Sequence, residues 1–208
     1  MHNPSILVSL LVIGLLACEK EQGDEIISPE QCNTIHDYSQ LAIGNYWVYA
    51  RYRYDSLGNE TLLGSQDSLV VMGDTVANGQ TFFVLQGTCD TPHGQPYRYY
   101  ARDSADCVVN LDGSLIFSLS GLGEVLYVVD LPPQGTITWS TAPDIVTHTV
   151  PAGTWMSFVT TGVTEYAGLP PRTMRRYRAA GVGLIEDDCV YLVSGVHYRH
   201  KLLRYHVQ

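Results

Sequence analysis

The chain has 208 residues and a formal net charge of −9 at pH 7, with 12 lysines and arginines against 21 aspartates and glutamates. A chain this acidic is not expected to bind nucleic acid. Beyond its first 17 residues it has no run of about 18 apolar residues, which excludes a membrane-spanning helix there.

Residues 6–17 form an N-terminal run in which every side chain is apolar or small. At about a dozen residues the run is too short to cross a ~30 Å hydrocarbon core, so we interpret it as the apolar part of a signal peptide. The segment Leu15-Leu16-Ala17-Cys18 resembles the processing site of bacterial lipoprotein signals. The resemblance implies that residues 1–17 are removed and that Cys18 is acylated, with palmitate among the acyl chains, anchoring the protein to the outer membrane. An ordinary secretory signal is the alternative, and both interpretations export the chain.

Residues 18–33 are predicted to be a flexible tether, because the acidic stretch 19–25 has no apolar periodicity. This stretch also resembles the acidic export signals of surface lipoproteins of the Bacteroidota. Residues 34–208 are predicted to form a single domain, since a chain of this length suffices for one hydrophobic core. Within that domain only residues 34–41 have a weak helical pattern.

From Trp47 onward the sequence is a succession of short alternating runs separated by turn residues, which is typical of an all-β protein. The runs 68–72 and 81–85 flank Asn78-Gly79, which predicts a hairpin because both residues tolerate the positive φ of a tight turn. A longer run at 154–166 follows. Connections this short predict eleven or twelve antiparallel strands. We expect an all-β fold with a single strongly curved antiparallel sheet, an open half-barrel, and a two-layer β-sandwich is the alternative.

Three motifs carry a resemblance to a group of uncharacterised lipoproteins of the Bacteroidota. They are GNYWVY at residues 44–49, GDT at 73–75 with Asn78-Gly79, and GVGLI at residues 181–185. The alternation of strands and the last motif are also similar, more loosely, to the open half-barrel lipoprotein carriers of the LolA and LolB kind. This second resemblance implies a fold and assigns no activity.

Besides Cys18 the chain has four cysteines, Cys32, Cys89, Cys107 and Cys189. In an exported protein an even number favours two disulfides, whose pairing the sequence leaves open. Small buried thiols are the alternative. No two of these cysteines have the spacing of a zinc knuckle, and we expect neither a metal nor a cofactor.

Motifs of catalysis are weak in this sequence. His197, His200 and His206 are interpreted as partly exposed strand histidines, because His197 and His200 point to opposite faces of a strand. Residues 110–114, NLDGS, are interpreted as a hairpin turn rather than a calcium loop. The acidic triplet at residues 186–188 could supply an acid and a base, but beside a glycine break we interpret it as a solvated loop.

Arginines on tyrosine-rich strands form a pattern that exceeds the background. The candidate binding surface consists of Arg51, Arg53, Arg98, Arg102, Arg176, Arg178, Tyr49 and Tyr100. A planar guanidinium recognises carboxylates, phosphates and aromatic rings, so such a surface could bind an anionic glycan, a lipid headgroup or a protein. Pairing with aspartates and glutamates across strands on a solvent face is the alternative.

We therefore expect a membrane-anchored envelope lipoprotein that acts as a non-catalytic binding module for a lipid or other amphipathic ligand. Its pocket is expected on the concave face of the sheet, lined by tyrosine and aliphatic side chains with arginines at the rim. The alternatives are a glycan-directed hydrolase, whose paired carboxylates would meet only in the fold, and a structural surface interaction protein.

Overall fold

The computed structural model describes residues 34–55, 58–88, 96–133, 135–190 and 197–208. These residues contain one short helix and thirteen strands. The elements are α1 (His36–Ser39), β1 (Tyr46–Tyr54), β2 (Glu60–Ala77), β3 (Gln80–Gly87), β4 (Tyr97–Ser104), β5 (Cys107–Val109), β6 (Leu115–Ser118), β7 (Val125–Leu131), β8 (Gly135–Thr141), β9 (Val146–Val150), β10 (Gly153–Tyr166), β11 (Leu169–Ala179), β12 (Gly183–Val190) and β13 (His197–His206). No helix among them has the length and apolar character to cross a membrane. The signal peptide, Cys18, the tether, Cys32 and Cys89 lie outside the described residues.

One antiparallel sheet contains all of these strands. Its order is β6-β5-β4-β3-β2-β1-β13-β12-β11-β10-β8-β7, and β9 pairs with the first half of β10. The two ends of this order, β6 and β7, approach each other, so the sheet curls until it is nearly closed. The expected all-β fold with a single strongly curved sheet is confirmed, and the two-layer sandwich is wrong.

The hairpin predicted around Asn78-Gly79 joins β2 to β3. Asn78 has a φ of 52° and Gly79 a φ of 73°, the two positive values that a two-residue hairpin turn requires. Residues 110–114 form the turn between β5 and β6, where Gly113 N donates to Asn110 O at 3.1 Å and Ser114 N donates to Asp112 Oδ1 at 2.8 Å. The hairpin interpretation of NLDGS is therefore confirmed.

Aromatic side chains fill one end of the interior. Tyr38 of α1 packs against Phe117 of β6 and Phe158 of β10, with ring centroids 6.1 and 5.0 Å apart. All three rings are buried. The weak helical pattern at residues 34–41 thus corresponds to a single turn of helix that covers this end of the curled sheet.

Two of the sequence motifs meet where β1 crosses the turn before β12. Trp47 donates from Nε1 to Val182 O at 2.6 Å, and the Tyr49 hydroxyl donates to Leu184 O at 2.9 Å. The indole also packs on Gly183, where a Cβ atom would lie 3.3 Å from Trp47 Cζ2. The aromatic residues of GNYWVY and the glycines of GVGLI are therefore parts of one contact.

Candidate ligand-binding site

A row of polar side chains crosses the inner face of the sheet, one from each of six neighbouring strands. Each member is the cross-strand partner of the next, so all six share a face. The row, called the interior row below, consists of Thr141, Thr160, Arg176, Asp187, His200 and Arg51. Burying a polar group lowers the stability of the fold unless the group is hydrogen-bonded or paired with an opposite charge. The partner of each side chain therefore shows whether it is free to bind a ligand.

Arg51 forms a two-pronged ion pair with Asp67 of β2. Its Nε and Nη2 atoms lie 2.7 and 2.8 Å from the two carboxylate oxygens, and Asp67 is only 2% exposed. His200 is 1% exposed and places Nε2 3.3 Å from Asp67 Oδ2. Burial alone would raise the pKa of Asp67, but the interactions with His200 and Arg51 outweigh it and the pKa is lowered. Asp67 is therefore an anion at neutral pH, and Arg51 neutralises its charge.

Arg176 is paired with the acidic member of the row. Its Nε atom lies 2.8 Å from Asp187 Oδ1, and its guanidinium lies 4.4 Å from the centre of the Trp139 ring. Asp187 is buried. The two charges cancel, as in the pair formed by Arg51 and Asp67.

Arg178 points to the same inner face and has no such partner. It is 8% exposed and makes no ion pair or hydrogen bond with any described residue, and its buried Nη1 atom is unsatisfied. The guanidinium lies 5.0 Å from the centre of the Phe117 ring. Burial lowers the pKa of Arg178 to about 10, and the nearby charge of Arg176 adds to the shift while Asp187 opposes it.

The energies involved explain why Arg178 is unusual. A cation–π contact stabilises by about 0.5–2 kcal/mol. Removing a charged side chain from water costs several kcal/mol per ion even after relaxation. The ring of Phe117 therefore compensates only part of the cost, and Arg178 is a buried cation that an anion would stabilise.

A cavity of about 310 Å³ lies against these groups, inside the curled sheet. Its polar lining comes from Arg176, Arg178, Asp187, His200 and Asn110. Its remaining lining comes from Tyr49, Tyr97, Tyr99, Leu69, Ile116 and Leu184. The two arginines and one aspartate of this lining carry a net charge of +1. A smaller space of about 50 Å³ continues from it and shares Leu69, Tyr99, Ile116, Arg178 and Leu184.

A second depression, of about 420 Å³, lies beside Tyr166 and Leu169. It is shallow and open, and Glu165 is the charged residue in its lining. It brings together neither convergent polar groups nor buried charges. We therefore take the interior cavity as the candidate site.

The structure divides the predicted arginine–tyrosine surface between two faces of the sheet. Arg51, Arg176, Arg178 and Tyr49 come together inside, in or beside the cavity. Arg98, Tyr100 and Arg102 alternate with cavity-lining Tyr97 and Tyr99 along β4 and so point outward, and Arg53 is exposed.

The outward-facing arginines make local contacts. Arg98 donates from Nε to Gln86 Oε1 at 3.0 Å, and the Arg102 guanidinium lies 5.5 Å from the centre of the Phe82 ring. Pairing with acids, the alternative interpretation, holds for Arg51 and Arg176. Their partners are in the core, however, and not on a solvent face.

The interpretation of the acidic triplet as a solvated loop is wrong. Glu186, Asp187 and Asp188 lie in β12 and are all buried. Asp187 faces the interior row, while Glu186 and Asp188 face outward to Arg199, whose Nε lies 3.1 and 2.6 Å from their carboxylates. Three consecutive acids are typical of an exposed loop, and the local sequence does not show that side chains of other strands neutralise them.

The interpretation of the histidines also needs correction, because His200 is fully buried. Its Nε2 faces Asp67, and its Nδ1 makes no hydrogen bond to a described residue. The prediction that His197 and His200 point to opposite faces of the strand is correct. His197 lies on the outer face, with its Nε2 3.8 Å from Asp188 Oδ2. Across the part of the chain that the structure describes, no three His, Cys, Asp or Glu residues are grouped to hold a metal ion.

Sequence reasoning missed Tyr97, Tyr99, Asp67, Asp187 and His200 as site residues. Strand parity was the available signal for the tyrosines, because Tyr97 and Tyr99 necessarily face away from Arg98 and Tyr100. For the two aspartates and the histidine no local signal exists. Their roles depend on cross-strand register.

Of the cysteines that the structure describes, neither Cys107 nor Cys189 lines the cavity. Cys107 donates from Sγ to Ser104 O at 2.9 Å, and burial raises the pKa of its thiol although Arg102 opposes the shift. Cys189 lies in β12. Because Cys32 and Cys89 lie outside the described residues, the two disulfides stay a prediction.

No family model matches the chain, and the comparison with curated proteins found no match. Two solved structures are similar in part. A putative lipoprotein of Parabacteroides distasonis is 13% identical, with 81% of this chain and 97% of that chain covered and a TM-score of 0.43. A putative exported protein with a YmcC-like fold from Bacteroides fragilis is 12% identical, with 81% and 98% covered and a TM-score of 0.45. Both TM-scores are below 0.5, so the fold described above rests on this chain alone.

Proposed function

We propose that the protein is an envelope lipoprotein, anchored to the outer membrane through acylated Cys18, whose domain binds an amphipathic ligand without catalysing a reaction. The observation that carries the proposal is the interior cavity. It combines an apolar and tyrosine-rich wall with a buried cation that has no counter-ion among the described residues. Ligand sites are typically concave and largely apolar, with a few convergent polar groups.

The cavity lining favours binding over glycan hydrolysis. Hydrolysis of a glycosidic bond needs two carboxyl groups about 5–10 Å apart on either side of the scissile bond. Asp187 is the carboxylate among the described lining residues, and Arg176 holds it in an ion pair. Asp67 is locked to Arg51. A pair of carboxylates free to act as acid and base is therefore not offered by the described lining.

Filling the cavity tests the proposal. Leu184 lines both the main cavity and its smaller continuation, so Leu184→Trp would occupy the space that a ligand needs. We expect this variant to bind a fluorescent fatty acid at least 10-fold more weakly than the unmodified protein. Native mass spectrometry of the unmodified protein is expected to detect a co-purifying small molecule that Leu184→Trp lacks.

The matched control is Leu62→Trp, which makes the same change at a side chain that is 60% exposed on β2. It is expected to bind like the unmodified protein. Overpacking at Leu184 costs about 1–3 kcal/mol, so urea unfolding is measured to check that both variants are folded. Equal binding by a folded Leu184→Trp variant would place any ligand elsewhere and contradict the proposal.

A further inference from the structure

The register of β11 and β12 explains why one arginine has a partner and the next inward-facing one does not. Arg176 lies opposite Asp187, but a bulge follows, and Arg178 lies opposite Leu184. On its other side Arg178 lies opposite Phe158 of β10. Both cross-strand neighbours of Arg178 are apolar. The fold therefore places a cation in the cavity wall without an acid beside it in the sheet.

The donors around the cavity match a flat anion. A guanidinium presents parallel N–H groups that fit the two oxygens of a carboxylate. His200, also in the lining, is buried; its Nε2 lies 3.3 Å from Asp67 Oδ2, and its Nδ1 has no hydrogen-bond partner among the described residues. Asp187 already neutralises Arg176, which leaves the charge of Arg178. One negative charge would neutralise Arg178, whereas a dianion would bring a second charge into the core.

The size of the cavity limits the rest of the ligand. About 310 Å³, with a continuation of about 50 Å³, lies at the lower end of the range of about 300–1,000 Å³ that small-molecule sites occupy. The walls next to Arg178 are apolar, formed by Leu69, Ile116, Leu184 and Tyr99. This space fits one short chain or ring and is too small for a lipid with several acyl chains.

We infer that the cavity binds a small monocarboxylate with one apolar chain, inserted with its carboxylate on Arg178. The inference rests on the proposed function and specifies the ligand class. A phosphate monoester with one apolar chain is the competing anionic ligand. We expect it to bind more weakly, because the lining does not neutralise its second negative charge.

Four probes that share an eight-carbon chain separate these chemistries in calorimetric titrations of the purified lipoprotein in phosphatidylcholine vesicles, with empty vesicles as the blank. Octanoate is expected to bind, and methyl octanoate, which is neutral, is expected to bind at least 10-fold more weakly. Octylammonium is expected not to bind. Octyl phosphate is expected to bind more weakly than octanoate, and tighter binding by octyl phosphate would overturn the choice of a monoanion.

Arg178→Met tests the residue itself. Methionine keeps an unbranched apolar side chain and removes the buried charge, so we expect the variant to be at least as stable as the unmodified protein in urea. Its affinity for octanoate is expected to fall roughly 10- to 100-fold, the loss of one charge-assisted hydrogen-bonding group. Methyl octanoate binding is expected to be unchanged. The matched control, Arg204→Met, alters an exposed arginine of β13 and is expected to leave octanoate binding as it was.

The outcomes distinguish the inference from the proposed function. If octanoate and methyl octanoate bind equally, and Arg178→Met changes neither, the anionic head is refuted while a cavity that Leu184→Trp blocks still stands. If the unmodified protein binds none of the probes, nor the fluorescent fatty acid, both are refuted. Loss of octanoate binding in Arg204→Met as well would refute a role specific to Arg178.

Discussion

At the scale of single residues, the interior is unusual because charged side chains occupy the middle of the core. Arg51 and Asp67 are both buried and satisfy each other through two hydrogen bonds. Breaking such a pair by removing one partner leaves the other charge buried and costs about 3–5 kcal/mol. Arg178 already carries a buried charge without an ion-pair partner among the described residues, whereas Arg51 and Arg176 are each paired with an aspartate.

The pH dependence of stability should report the charge on Asp67. Its pKa is lowered in the folded state, so its contribution is complete above the unfolded value of about 3.9 and is lost as pH falls through the folded value. Asp67→Asn is expected to lower the free energy of unfolding by about 3 kcal/mol at pH 7. Urea unfolding between pH 7 and pH 3 should show this difference shrinking below about pH 4.

Asp74→Asn is the control for this experiment, because Asp74 lies on the same strand and is exposed. It is expected to change the free energy of unfolding by less than about 0.5 kcal/mol at any of these pH values. A loss in Asp67→Asn that stays constant down to pH 3 would mean that the ionised carboxylate is not what stabilises the fold.

Residue types predicted part of the site. Tyrosine and arginine on strands indicated a binding surface, and Tyr49, Arg51, Arg176 and Arg178 do lie in or beside the cavity. The acids and His200 were misjudged because hydropathy assigns charged residues to solvent. In β12 the acids are buried because β9, β11 and β13 supply their partners, which no local pattern reveals.

At the scale of elements, the contact between β1 and the turn before β12 fixes how the two halves of the chain meet. Gly183 begins β12 with a φ of 93°, a conformation that a side chain strains, and the Trp47 ring lies against its Cα. Gly183→Ala is expected to lower the free energy of unfolding by about 1–2 kcal/mol, since a left-handed backbone costs that much for an L-residue. Chemical denaturation measures the change.

Gly64→Ala is the matched control. Gly64 lies within β2, a Cβ atom at this position would have no neighbour within 4 Å, and its φ is not in the left-handed region. The alanine is expected to be neutral or to stabilise by up to about 1 kcal/mol, because it restricts the unfolded chain. If both alanines have the same effect, the left-handed backbone at Gly183 does not make this position sensitive to a side chain.

Elements with a strong local pattern were predicted well. The Asn78-Gly79 hairpin and the long strand near residues 154–166 are present as β2, β3 and β10. The first half of β2 was missed, because residues 60–66 are mostly exposed and lack apolar alternation. Ion pairs fix the start of β2, where the Glu60 carboxylate lies 2.7 Å from Lys201 Nζ and 3.0 Å from Arg199 Nη1.

At the scale of the whole molecule, strand number and short connections were enough to predict a single curved sheet. Its near closure could not be predicted, because it depends on how β6 and β7 approach at the two ends of the strand order. The cavity exists only because of this curvature. Its lining residues come from β1, β2, β4, β6, β11, β12, β13 and the turn before β6.

The proposed membrane anchor is tested on the whole protein in cells. Cys18→Ala removes the residue that would carry the acyl chains, so the variant is expected to leave the detergent phase and to lose incorporation of labelled palmitate. More than one acyl chain is needed for stable attachment, since a single chain binds membranes only marginally. Cys107→Ala, at a cysteine within the folded domain, should partition like the unmodified protein. Detergent partitioning that Cys18→Ala leaves unchanged would contradict the anchor.

β13 follows all the other strands along the chain but lies in the middle of the sheet, between β1 and β12. Before residues 197–206 have been synthesised, β6 to β1 on one side and β12 to β7 on the other can form only two separate sheets, each with an unpaired edge. Arg51 then belongs to one sheet and Asp187 to the other, and the interior row has a gap where His200 will lie. A chain that lacks residues 197–206 is therefore expected to form two half-sheets with exposed edges and an incomplete binding site.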